Sequence, residues 1–321
     1  MVRFIPLAEL KLEAAADLWN EELGSDFPMR LRLLRQCWQE DGNMLAAGSW
    51  AAIDESTNRL AGFAAAKKWM DPMEGISFPA DEGWISALLV HTDFRGQGIG
   101  SQLLQRAERA LREAGVAKAD LGNDLHRRIF PGLPDQGDAA AQWFESKGYR
   151  STGSLQDLLR QYRSDEPIHM PVLKDAVIRV LREDERGRLE SFMREHFPGR
   201  WEYSTRQYWE EGGSGREFVI MERGDRLIGF CRINDAASPL LTQNIYWSPL
   251  FKEELGGVGP LGIDNAYRGL GYGAAIVQAG IAMLRSRGID NIVIDATPIA
   301  AFYENMGYRL WRTYAMYSKL L

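Results

Sequence analysis

The sequence predicts an α/β protein with a mixed sheet, built as two tandem copies of one unit. The first observation behind this is a repeated loop. The run Leu88-Leu89-Val90 passes through His91-Thr92-Asp93-Phe94 into Arg95-Gly96-Gln97-Gly98-Ile99-Gly100. Leu261-Gly262-Ile263 likewise passes through Asp264-Asn265-Ala266-Tyr267 into Arg268-Gly269-Leu270-Gly271-Tyr272-Gly273. A helical pattern follows each loop and closes on a glycine, Gly115 and then Gly288. The interval from Arg95 to Arg268 equals that from Gly115 to Gly288. The second observation is that other landmarks recur in the same order: Phe27-Pro28 and Phe197-Pro198, Arg59-Leu60-Ala61-Gly62-Phe63 and Arg226-Leu227-Ile228-Gly229-Phe230, Phe144-Glu145-Ser146-Lys147-Gly148-Tyr149 and Tyr303-Glu304-Asn305-Met306-Gly307-Tyr308. The intervals between partners drift by loop-sized amounts only. The third is length, since 321 residues suit two domains of about 150.

Each half opens on a short strand, over 2–6 and 176–180, and continues into helical segments ending near Glu40 and Glu211. A hairpin comes next. In the first half it runs over 44–53, turns through Asp54-Glu55-Ser56-Thr57-Asn58 and returns over 60–69. In the second it runs over 217–222, turns at Arg223-Gly224-Asp225 and returns over 227–234. The central strand, the glycine loop and a helix follow. Ile99, Leu103, Ala107 and Leu111 share one helical face in the first copy, as do Val277, Ile281 and Leu284 in the second. A strand, a short helix and terminal strands complete each unit. Two inserts break the symmetry, 124–137 in the first half and 235–251 in the second. The polar, proline-bearing stretch 163–171 sets the expected division at 1–165 and 166–321.

Composition narrows the function classes. The formal net charge of −6 argues against a nucleic-acid binder, which carries a basic surface. Cys37 and Cys231 are the only cysteines and stand in no metal-ligand spacing, nor do His91, His126 and His169, so no metal is expected. The first ten residues lack a signal-peptide core, and no apolar run approaches the roughly 20 residues that span a bilayer. The expected setting is cytoplasmic, away from membranes, as a monomer or homodimer.

The glycine loops carry the chemistry. A helix N-terminus exposes unpaired N–H groups and a partial positive charge. Missing side chains at Gly96, Gly98 and Gly100, and at Gly269, Gly271 and Gly273, let a pyrophosphate approach those donors, and Arg95 and Arg268 add charge at the mouth. Neither copy ends in the Gly-Lys-Ser/Thr of a P-loop, and the glycine interval differs from the dinucleotide fingerprint.

With strand, arginine, glycines, helix and downstream aromatic together, the chain resembles the GNAT superfamily of acyl-CoA N-acyltransferases, in its tandem two-domain form. The family's Arg/Gln-x-x-Gly-x-Gly/Ala signature is met in both loops, and the resemblance covers nearly the whole chain. It implies two GNAT-like domains and acetyl-CoA as cosubstrate. The pyrophosphate would lie on the amides of Arg95, Gly96, Gln97, Gly98, Ile99 and Gly100, and of Arg268, Gly269, Leu270, Gly271, Tyr272 and Gly273. The pantetheine and acyl carbonyl would lie along a splayed strand at Leu88, Leu89 and Val90, and at Leu261, Gly262 and Ile263. It also implies attack of a small-molecule amine on the thioester, with Tyr303 protonating the departing thiolate. Phe144 stands at the matching position and has no proton to give, so the second half is the expected catalytic one and the first a degenerate, acyl-CoA-binding copy.

For the base, Glu254 is the candidate beside the second central strand, with Glu253 next to it and Glu82 before the first strand. Asp264 is placed to shape the loop. His196 and the aromatics Trp201, Tyr203, Trp209, Tyr246 and Trp247 fall in the expected acceptor-side segments. The alternative function is a non-catalytic acyl-CoA-binding sensor or regulatory module.

Overall fold

The computed structural model describes residues 1–71 and 73–321. The strands are β1 (Val2–Pro6), β2 (Trp50–Asp54), β3 (Leu60–Lys68), β4 (Glu82–Val90), β5 (Lys118–Leu121), β6 (Leu133–Pro134), β7 (Arg150–Gln161), β8 (Val177–Val180), β9 (Phe218–Arg223), β10 (Arg226–Asn234), β11 (Leu255–Ile263), β12 (Asn291–Thr297) and β13 (Arg309–Leu320). The α-helices are α1 (Leu12–Leu23), α2 (Leu31–Trp38), α3 (Ile99–Glu113), α4 (Asp138–Ser146), α5 (Arg186–His196), α6 (Arg200–Glu210), α7 (Tyr272–Ser286) and α8 (Ala300–Glu304). The expected strands, helices and hairpins form within a few residues of their predicted places, except that the strand expected over 44–53 begins only at Trp50, after a 3-10 turn at Ala46–Gly48.

The chain folds into two compact units. Unit 1 holds the described residues of 1–71, 77–155 and 312–321; unit 2 holds 73–76 and 156–311. In unit 1, β1, β2, β3 and β4 pair antiparallel in sequence order, and β4 runs parallel to β5. The last part of β13 closes that sheet, Ser318 facing Asp120 and Leu320 facing Lys118. Unit 2 repeats the plan, with β8, β9, β10 and β11 antiparallel and β11 parallel to β12. Here the last part of β7 closes the sheet, Gln161 facing Asn291 and Leu158 facing Ile294. The final strand segment of each unit therefore comes from a distant part of the chain.

Strand alternation builds the layers. In unit 2, Ile228, Cys231 and Ile233 of β10 face Ile276, Val277 and Ile281 of α7. Leu227 and Phe230 face the other way, onto Leu189, Phe192 and Met193 of α5 and Tyr208 and Trp209 of α6. Unit 1 buries Leu104, Ala107 and Leu111 of α3 against Ala66, Ile85 and Leu121, while Trp38 of α2 meets Phe63 edge-on from the opposite face.

Candidate functional site

In both units the central strand parts from its parallel neighbour. β4 and β5 stay in register from Glu82–Lys118 to Ile85–Leu121, and β11 and β12 from Leu255–Asn291 to Gly257–Val293. Beyond those points Leu88, Leu89 and Val90, and Leu261, Gly262 and Ile263, are paired on one side only, to β3 and β10. A strand edge with unpaired N–H and C=O groups is a template for another extended chain. The partings coincide with ladder irregularities in both units, between Ala65 and Ala66 on β3 and between Cys231 and Ile233 on β10. Asn123 (φ 55°) and Ala296 (φ 46°), separated by the same interval as Arg95 and Arg268, share an unusual left-handed backbone just beyond the paired stretches.

The open edge leads into the glycine loop. Gly96 and Gly98 have φ of 76° and 78°, and Gly269 and Gly271 have 80° and 82°, a region that side chains penalise. Gly98 and Gly271 are the N-caps of α3 and α7, and neither helix receives a capping side-chain hydrogen bond. A Cβ at Gly96, Gly98, Gly269, Gly271 or Gly273 would meet nothing within 4 Å. These positions are therefore bare because of backbone conformation and access, with no packing neighbour to account for them. That arrangement fits a pyrophosphate. Gly100 differs, since Trp143 and Val90 lie 3.4 Å from its would-be Cβ.

The loop arginines also anchor their loops. Arg95 Nε donates to Val90 O at 3.0 Å and Arg268 Nε to Ile263 O at 3.1 Å, so each ties its loop back to the end of the open strand. Arg95 is also ion-paired with Glu22. Asp264 shapes the second loop: its Oδ1 accepts from Ala266 N at 3.0 Å, and Arg226 reaches its Oδ2 at 3.2 Å. In the first loop His91 Nδ1 accepts from Asp93 N at 3.0 Å, and Arg59 contacts the other ring nitrogen at 3.0 Å. The repeated arginine at the start of β3 and β10 is thereby explained.

Tyr303, on α8, is 6% exposed, and its hydroxyl makes no hydrogen bond among the described residues. Burial raises its pKa above the ordinary 10, helped by the nearby Cys231 thiol and Asp295 carboxylate, so the phenol stays protonated through the neutral range. Tyr303 and Cys231 share one buried cluster, and Leu261 of the open edge of β11 packs against it. Phe144 is packed into the unit 1 core with Tyr149, their rings meeting edge-on at 5.5 Å.

Glu254 is not brought to Tyr303. It is exposed just before β11, at the end paired with β12, and its carboxylate accepts from Ala236 N at 3.1 Å. Seven residues of strand separate it from Leu261, about 23 Å of extended chain. Glu253 is exposed in the same turn, and Glu82 begins the paired part of β4, where Lys118 lies 3.5 Å away. The acid whose charge acts on Tyr303 is Asp295, on the β12 side of the parting. Asn244 Nδ2 donates to its Oδ1 at 2.9 Å, and a Cβ on Gly259 would lie 3.7 Å from that oxygen. Asp295 escapes sequence reasoning because Gly122 stands at the matching place in the first copy, so the repeat offers no corresponding acid. That replacement of glycine by a carboxylate was the available signal.

The aromatic load of unit 2 is mostly core. Phe197 packs on Trp201 and Phe230 and fills the space over Gly262, while Tyr203, Trp209, Tyr246 and Trp247 are buried. His196 lies 3.7 Å from Asp264, so it supports the loop's anchor.

Unit 1 holds a buried ion cluster beside its own parting. Lys67 is fully buried, with Asp41 at 2.9 Å and Asp124 at 3.2 Å, and Ser86 of β4 donates to Asp124. Burial acts to lower the lysine's pKa, but the two carboxylates outweigh it and hold the ammonium above its ordinary value.

An open strand edge running into a bare, uncapped helix N-terminus is present in both units. The model of the Acetyltransferase (GNAT) family matches residues 12–128 and 182–308. The chain belongs to that family and is an N-acetyltransferase by class. It is 29% identical over 284 residues to a mycothiol acetyltransferase of Thermobispora bispora, covering 82% of this chain and 81% of that one. A mycothiol acetyltransferase of Acidothermus cellulolyticus is 28% identical over 280 residues, covering 83% and 78%. Among solved structures, the glucosamine N-acetyltransferase region of a fungal multi-domain GH3 β-N-acetylglucosaminidase superposes with a TM-score of 0.84 at 24% identity over 99% of this chain. This chain spans 38% of that protein. A tandem GNAT protein of the clavulanic acid pathway shares the fold with a TM-score of 0.68 at 13% identity, over 100% of this chain and 98% of that one. No helix among the described residues is long and apolar enough to cross a membrane.

Proposed function

We propose that unit 2 moves an acetyl group from acetyl-CoA to the amine of a small hydroxylated molecule, an amino sugar. The observation that carries this is the juxtaposition of a protonated, unpartnered phenol at Tyr303 with the open edge of β11 and the carboxylate of Asp295. The cosubstrate's pyrophosphate lies on the N-terminus of α7, and its pantetheine arm pairs with the free edge at Leu261, Gly262 and Ile263. The amine attacks the thioester carbon, the C–S bond breaks, and Tyr303 gives the sulfur a proton as its charge develops. Asp295, oriented by Asn244, takes the proton lost by the attacking nitrogen. The products are an N-acetylated amine and the free thiol.

The acceptor class draws on the relatives: one superposes over 99% of this chain and is described as a glucosamine N-acetyltransferase, while the sequence relatives carry the name mycothiol acetyltransferase. Both free cysteines are buried, which suits a reducing, cytoplasmic setting. The test is release of CoA thiol from acetyl-CoA across a panel of small amines that includes glucosamine. Turnover with an amino sugar is expected. Acetyl-CoA binding without turnover of any amine would make the protein a sensor, and absence of acetyl-CoA binding would overturn the reading of both loops.

A second reading applies to unit 1 alone. It has the loop and the open edge, but Phe144 supplies no proton and the Lys67 cluster occupies the ground beside its parting. Unit 1 in this reading holds acetyl-CoA without transferring from it.

A further inference from the structure

The irregularity between β10 and β11 sets two residues of β11 opposite one of β10. Cys231 faces Leu261 and Ile233 faces Val258, so Gly259 and Pro260 bulge opposite Arg232. Bulges of this kind re-aim a side chain and recur beside active sites. Arg232 is 3% exposed and extends over the rings of Tyr208, at 5.1 Å, and Phe218, at 5.7 Å. Its one side-chain hydrogen bond is a long one, 3.4 Å from Nη1 to Ser204 Oγ. Nε and Nη2 are enclosed and donate to nothing among the described residues. Two residues along, about 6.6 Å of strand, Asn234 is fully buried. Its Nδ2 donates to Asn244 Oδ1 at 3.4 Å, and its own Oδ1 accepts nothing among the described residues. Asn244 is the residue that holds Asp295. Two unmet donors and one unmet acceptor thus stand on the strand that leads to the reacting end.

Buried polar groups are rarely left without partners, and a buried charge without a counter-charge is costly. Unit 1 shows the satisfied version. By the shared Arg-Leu-x-Gly-Phe landmark, Ala65 stands at the position of Arg232 and Lys67 at that of Asn234. The buried cation there has Asp41 and Asp124 against it. In unit 2 the carboxylates whose charge reaches Arg232, Glu217 and Asp295, already have hydrogen-bond partners: Glu217 accepts from Tyr208 and Arg216, and Asp295 accepts from Asn244, while Asp235 is held by Arg216 and Arg287. The formal charges of Arg232, Arg216 and Arg287 balance those of Glu217, Asp235 and Asp295, so an added carboxylate would leave a negative excess. A hydroxyl accepts from a guanidinium and donates to an amide oxygen without disturbing that balance.

Given unit 2 as the transferring unit, we propose that Arg232 and Asn234 are specificity-determining residues that recognise hydroxyl groups of the acceptor, Arg232 as donor and Asn234 Oδ1 as acceptor. A site built to hydrogen-bond hydroxyls rejects an analogue that lacks them, because its buried polar groups then stay unpaired. Selection therefore rests on the oxygens around the amine.

The test compares D-glucosamine with cyclohexylamine as acceptors for the full-length protein, with calorimetric binding of each probe and of acetyl-CoA. The wild type is expected to bind glucosamine and to favour it in kcat/KM by on the order of 100-fold or more. Arg232→Met should lose about 10- to 100-fold on glucosamine, mainly in KM, with cyclohexylamine turnover and acetyl-CoA affinity unchanged. Arg232→Lys, which keeps the charge, should lose less, and it serves as the variant if Arg232→Met does not fold. Equal losses on both amines, no glucosamine binding by the wild type, or preference for an amino acid such as serine would overturn the assignment. Glucosamine binding lost in the variant would support it even if no acetyl transfer occurred, which separates its fate from that of the transferase reading.

Discussion

Asn244 Nδ2 donates to Asp295 Oδ1 across 2.9 Å, at the place where β11 and β12 part. The same side chain accepts from Thr242 Oγ1 at 2.6 Å, so the amide is held from both ends. Gly257 has to be glycine here, since a Cβ would fall 2.1 Å from Asn244. A carboxylate fixed in this way, its charge acting on Tyr303, leads to the first expectation. Asp295→Asn should lower kcat by about 10²- to 10⁴-fold, the usual weight of general acid–base catalysis. Glu254→Gln should leave turnover near wild type, because that carboxylate is exposed at the far end of the strand. Steady-state kinetics on the two variants decide between them.

Tyr303→Phe removes the proton and keeps the ring. The ring is buried in the unit 2 core and the hydroxyl binds nothing among the described residues, so the fold should be little disturbed. A fall in kcat of about 10²-fold or more is expected, with acetyl-CoA affinity unchanged. Unchanged turnover would remove Tyr303 from the mechanism and leave the fold assignment intact.

The two glycine loops can be separated by Gly98→Ala and Gly271→Ala. Each puts a side chain on a left-handed backbone, at φ of 78° and 82°, for about 1–2 kcal/mol of strain. Each also puts a methyl group where the pyrophosphate approaches. Calorimetry with acetyl-CoA should show two sites per chain in the wild type and one in either variant. Turnover should fail only in Gly271→Ala.

Lys67→Met tests the buried cluster of unit 1. It leaves Asp41 and Asp124 enclosed without their cation, and breaking a buried pair from one side costs about 3–5 kcal/mol. Chemical denaturation should show the loss as an earlier unfolding midpoint.

Acid stability has a local contributor in unit 2. Hydrogen bonds from Arg179 hold the Glu185 carboxyl at about 2, below its ordinary 4.5. A depressed carboxylate stabilises the fold above its unfolded pKa, and that contribution fades as pH falls from about 4.5 toward 2. Glu185→Gln should flatten the pH dependence of unfolding in this window and leave the shape above pH 5 unchanged.

Local chemistry made much of this protein legible in its residues. The glycines of both loops are where the backbone turns left-handed, the helix faces follow the apolar spacing, and Tyr303 against Phe144 is a difference visible in a single repeated motif. Those features depend on near neighbours in the chain, where backbone geometry and residue type act together. Other features needed tertiary structure. Residues 312–321 complete the sheet of unit 1 and residues 156–161 that of unit 2, a choice made by strand register between segments far apart. A charged residue reads alike in sequence whether it is solvated or buried. Only packing sent Glu254 to the surface, brought the charge of Asp295 to bear on Tyr303, enclosed Lys67 in contact with two carboxylates and left Nε and Nη2 of Arg232 enclosed without a hydrogen-bond partner among the described residues. Desolvation and distance fix what such groups do, and both are properties of contacts that the order of residues does not contain.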